Sequence, residues 1–172
     1  TQALPVLEAL IARVLSIVFK SPGDKFVWAF FLSLCLEKIM TDQDFLAAFE
    51  ACTLPKPLWT HEAHLRMAWL YLSSGSFDVV LPRVREAIQH YNAAVGGNPN
   101  GYHETVTQVY LRLVADRIRA VPEIKTWPEF RERNVELFDR SSPPTLRFYK
   151  RETILSDLAR SRFVEPDLQP LP

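Results

Sequence analysis

An all-α fold, a bundle of about four core helices, is what this sequence predicts. Apolar residues recur at helical spacing along most of the chain, whereas strand-like alternation is scarce. Ser/Thr residues stand ahead of the periodic stretches as N-caps, and proline or glycine clusters end them. The connections are short, which favours antiparallel neighbours.

The chain divides near Met40. Residues 1–39 read as an apolar helical extension, with runs over 4–19 and 26–36 separated by Ser21-Pro22-Gly23-Asp24-Lys25. Neither run reaches the ~20 apolar residues a membrane span needs, so no membrane partner is expected. Met40-Thr41-Asp42-Gln43-Asp44 then looks like the start of a domain over 40–172, with Thr41 as N-cap and acidic residues in the first turn. A shortened chain beginning there is expected to remain soluble.

Asp42 to Cys52 forms the first short helix, with Phe45, Leu46 and Phe49 on one side, and the prolines at 55 and 57 end it. Thr60 caps a helix to about Ser73, and Ser73-Ser74-Gly75-Ser76 is a turn. The next helix covers roughly 78–94 with the stripe Val80, Val84, Ala87, Ile88, Tyr91, and Pro82 in or near its first turn. The loop 96–101 leads to a helix over about 102–120. Thr126-Trp127-Pro128-Glu129 is a capping box opening a helix to about Phe138, which Ser141-Ser142-Pro143-Pro144 breaks. Ser156 caps a short helix through Ser161. The proline-rich tail wraps over the body, with Phe163, Val164 and Leu168 as anchors.

Bulk properties narrow the function. With 172 residues, 48% hydrophobic and 23% charged, the chain is ordinary for a globular protein. Its formal net charge of zero gives no global reason to expect nucleic acid as a partner. Cys35 and Cys52 have no CxxC neighbours and read as buried thiols, with a disulfide between them left open. A reducing, cytoplasmic setting is expected.

The chemistry concentrates in Trp59-Thr60-His61-Glu62-Ala63-His64-Leu65 and Gly101-Tyr102-His103-Glu104-Thr105, which hold three of the four histidines. His61 and His64, three apart on a helix, share a stripe with Leu65, Ala68 and Leu72. His103 shares a face with Val106, Thr107, Tyr110 and Val114. Both faces point to the core, so the three imidazoles are expected to meet and hold a divalent transition metal such as Zn, Fe, Mn or Ni. Three protein ligands leave a position open, as catalytic sites do. Glu104, and behind it Glu62, are the expected proton-handling or fourth-ligand carboxylates. Tyr102, Thr105, Thr107, Tyr91 and Asn92 are further polar candidates, and the loop 96–101 is a candidate gate. The competing structural reading is simple: buried histidines bonded within the core, and glutamates complementing helix N-termini. His90 is expected at the surface, and Trp59 and Trp69 in the core.

WTHEAHL, the helix end Gln89-His90-Tyr91-Asn92, GYHET and FVEPDLQPLP together resemble a family of small, mostly bacterial helical proteins over about 42–172. That resemblance implies a shared site and no particular reaction. A looser likeness, of architecture alone, is to the DinB/YfiT-type metal-binding helical bundles, whose histidine pair is spaced four apart. The resulting expectation is a metal-dependent enzyme, hydrolase or oxygenase-like, acting on a small molecule. The alternative is a non-catalytic metal- or ligand-binding or sensing module.

Overall fold

Helix caps written into the sequence set the element boundaries in the computed structural model, which describes residues 40–96 and 101–172. The apolar extension 1–39, Cys35 within it, and most of the loop expected to gate the site lie outside the described residues. Thr41 accepts from the backbone N–H of Asp44 at 3.1 Å and starts α1, Asp42–Glu50, which buries Phe45 and Phe49. The chain leaves α1 through Cys52 at φ 56°, the only non-glycine residue with positive φ among the described residues. A 3-10 turn at Lys56–Leu58 then buries Leu58.

Thr60 accepts from Ala63 N–H at 3.2 Å and opens α2, His61–Leu72. This helix is buried on nearly all sides, through Leu65, Met67, Ala68, Trp69, Tyr71 and Leu72. Its one buried charge, Arg66, is answered by Asp42 at 2.6 Å and lies over the Phe45 ring. α3, Phe77–Ala94, presents Val80, Val84, Ile88 and Tyr91 as a core stripe. Pro82 is its sixth residue, one residue deeper than the sequence suggested, because the helix starts at Phe77. The missing N–H removes one bond, to the Asp78 carbonyl.

α4, Glu104–Ala120, packs against both α2 and α3, and the α2–α4 pair is the most extensive helix contact. α5, Trp127–Arg133, is capped by Thr126 and stops short of Phe138. Asn134 is the reason: its side-chain amide donates to the Phe130 carbonyl at 2.7 Å, competing with the helix ladder. A 3-10 turn, Val135–Phe138, follows. Trp127 and Phe130 pack on Trp69 and fasten this segment to α2.

A further 3-10 turn, Pro144–Arg147, leads to the short helices α6, Arg151–Ile154, and α7, Asp157–Ser161, capped by Ser156. α7 lies against α4. The tail is held mostly by its backbone. Val164 C=O accepts from Tyr149 Oη at 2.8 Å, and Leu168 N–H donates to the Phe148 carbonyl at 3.0 Å. Leu168 itself is 52% exposed, so its side chain is no anchor. No strand occurs among the described residues, and no helix among them is long and apolar enough to cross a membrane. The all-α bundle is thus present, with α1 to α4 as its core.

Candidate functional site

The first turn of α2 and the first half of α4 face each other across a cavity of about 420 Å³. Met67, Ala68, Val84, Ile88 and Leu111 make its apolar floor. Trp59, Thr60, His61, His64, Thr107, Tyr110 and Arg140 bring its polar atoms. Trp59 stacks on Phe49 at 4.4 Å between ring centres and meets His64 in a tilted contact at 3.9 Å, so it packs the core and also lines the cavity. The ring of Tyr110 meets His61 edge-on at 5.1 Å.

The two histidines of α2 are oriented by backbone carbonyls. A carbonyl only accepts, so the ring nitrogen facing it must carry the hydrogen. His61 donates from Nε2 to the Leu137 carbonyl at 2.9 Å, which leaves Nδ1 as a bare lone pair. His64 donates from Nδ1 to the carbonyl of Thr60 at 2.6 Å, which leaves Nε2 bare. Neither lone pair has a partner among the described residues. Burial pushes His64 down to about 4, more than the Thr60 carbonyl raises it, and the nearby His61 lowers it further. At neutral pH this ring is therefore an uncharged acceptor. Burial likewise raises the Tyr110 phenol to about 12, so it stays a neutral O–H, and it has no hydrogen-bond partner among the described residues.

His103 is differently employed. It precedes α4 as its N-cap, in extended conformation, and its Nδ1 accepts from Val106 N–H at 3.3 Å. Its Nε2 donates to the Ile154 carbonyl at 2.9 Å. Both ring nitrogens are spent, and the ring is not among those lining the cavity. The sequence expectation placed His103 inside a helix from about 102, where it would share a core face; the helix starts at Glu104, which leaves His103 just outside it. Among the described residues no group of three or more His, Cys, Asp or Glu is arranged to hold a metal ion.

The two glutamates stand apart as well. Glu104 is buried and accepts from two guanidinium nitrogens of Arg85, Nη2 and Nε, at 2.5 and 2.9 Å, with Gln108 at 2.7 Å and Tyr102 Oη at 2.8 Å. Those donors, Arg85 foremost, hold it down to about 2, against its burial. It faces a separate cleft beside α7. Glu62 pairs with Arg131 at 2.5 Å. No carboxylate is among the residues lining the histidine cavity. Thr105 ties the tail down, donating to the Arg162 carbonyl and accepting from Val164 N–H. Tyr91 is buried, with its hydroxyl on the Leu54 carbonyl at 2.7 Å. His90 is exposed.

Sequence reasoning assigned no site role to Tyr110 or Arg140. Tyr110 was visible only as one member of an α4 stripe; Arg140 lies in an irregular loop with no local signal. No protein-family model, curated protein or solved structure matches the chain.

Proposed function

We propose that this domain is a small-molecule-binding module whose ligand carries a hydrogen-bond donor on a largely apolar body. The supporting observation is the pair of bare imidazole lone pairs, His61 Nδ1 and His64 Nε2, beside one half-open apolar cavity. An apolar cavity with a few placed polar groups is the usual form of a ligand site. Two bare acceptor nitrogens select a donor. Trp59 and Tyr110 suit a planar ring, and Arg140 at the rim suits an electron-rich substituent.

A second reading keeps the metal. Histidines that bind metals commonly donate their other N–H to a backbone carbonyl, and both His61 and His64 do so. In that reading two imidazoles supply the protein ligands, while His103 stays a helix cap and Glu104 an ion-pair partner. Hydrolytic or oxidative chemistry would then need its base from outside the two glutamates.

Phenol and anisole test the leading reading, since both are flat and apolar and only phenol donates. The readout is the ¹⁵N shift of His64 Nε2 in the intact chain. Phenol is expected to saturate near roughly 1 mM and anisole about tenfold higher, the usual value of one hydrogen bond. Equal affinities, or no shift at His64, would overturn the donor-selective pocket. A Zn²⁺ titration decides the second reading. Stoichiometric shifts at His61 Nδ1 and His64 Nε2, with His103 unmoved, would establish it; no shift would dismiss it.

A further inference from the structure

Arg112, in the middle of α4, is a guanidinium without an acceptor. Its Cζ lies 4.6 Å from the ring centre of Phe77 and 5.5 Å from that of Phe163. Its Nε is buried and has no hydrogen-bond partner. No hydrogen bond or ion pair to Arg112 occurs among the described residues. An arginine stays charged at any physiological pH, and its planar fork of N–H groups fits a carboxylate in two-point fashion. Other arginines of α2 to α4 do meet a carboxylate: Arg66 meets Asp42, Arg85 meets Glu104 and Arg117 meets Glu136.

Arg112 borders a second cavity, of about 390 Å³, between the end of α2, the start of α3 and α4. Leu72, Phe77, Ala115 and Ile118 give it apolar walls. Ser76, the residue before α3, also lines it, and its hydroxyl makes no capping bond. Asp78 lies on the same rim and forms no ion pair with Arg112, while Arg119 there is bonded to Asp116. The aromatic rings hold the guanidinium in place without using its in-plane donors.

We propose that this cavity binds a small carboxylate with an apolar body, independently of the histidine cavity. The carboxylate pairs with Arg112 and takes a further bond from Ser76, while the body rests on Leu72 and Ile118. A bare inorganic anion would leave the apolar walls unused.

Benzoate is the probe, with benzamide as its uncharged counterpart and inorganic phosphate as the bare anion. Titrations of the intact chain are followed by amide shifts at Ser76, Phe77 and Arg112. Benzoate is expected to bind at least about tenfold more tightly than benzamide or phosphate, and Arg112→Met to abolish that preference. Arg112→Lys, which keeps the charge and loses the fork, is expected to retain part of it. Circular dichroism of both variants confirms folding, and the wild-type comparison of benzoate with benzamide stands without them. Equal binding of benzoate and benzamide, tighter binding of phosphate, or a preference that survives Arg112→Met would overturn the proposal.

Discussion

A neutral imidazole has one N–H and one lone pair, and what takes the N–H decides where the lone pair points. At His61 and His64 a carbonyl takes the hydrogen and the other nitrogen is left bare. At His103 a carbonyl and an amide take both. This difference separates two histidines that each keep a bare lone pair from one whose ring nitrogens are both bonded, within blocks that look alike in sequence. His103→Asn keeps a capping acceptor while His103→Ala does not. Loss of a cap costs about 1 kcal/mol, so urea denaturation is expected to find the alanine variant less stable by about that much or more, with asparagine between it and the parent. Both are expected to bind phenol like the parent. Loss of phenol binding in a folded His103 variant would return that residue to the site. The sequence could not make this distinction, because histidine is not among the preferred N-caps and Ile154 is 51 residues away.

At the scale of elements, the caps at Thr41, Thr60, Thr126 and Ser156 all stand where the sequence placed them. Each is a local signal, an oxygen three residues from the amide it serves, and local signals are readable. The stripe Val80, Val84, Ile88 and Tyr91 is equally local and equally present. What failed to show was nonlocal. Glu104 is neutralised by Arg85 from the preceding helix. The His61–His64 pair was legible because i and i+3 spacing alone puts both rings on one side of α2. The cavity they border needed Tyr110 and Arg140, which only the fold brings in.

At the scale of the molecule, His64 and Glu104 carry the largest shifts among the described histidines and carboxylates, and both tie stability to pH. The folded-state value for His64, about 4, lies below its ordinary 6.5. As pH falls below about 6.5 the unfolded chain takes up that proton first, and stability drains until pH 4. The full loss is about 3 kcal/mol. Glu104, held at about 2 against an ordinary 4.5, adds a second loss as pH falls from 4.5 to 2. His64→Phe keeps a ring against Trp59 and removes the first titration. Its unfolding free energy is expected to be flatter than the parent's between pH 6.5 and 4.5, by urea denaturation across that range. Glu104→Gln is expected to flatten only the lower window; parallel curves for parent and His64→Phe would show that the imidazole is not buried as described. The most direct test is a long-range ¹H–¹⁵N NMR spectrum of the ring nitrogens. At pH 5.5 His64 is predicted to be uncharged with its hydrogen on Nδ1, and at pH 8 His61 is predicted to carry its hydrogen on Nε2. A protonated His64 at pH 5.5, or the opposite tautomer at either ring, would contradict the pair of bare lone pairs on which the proposed ligand pocket rests.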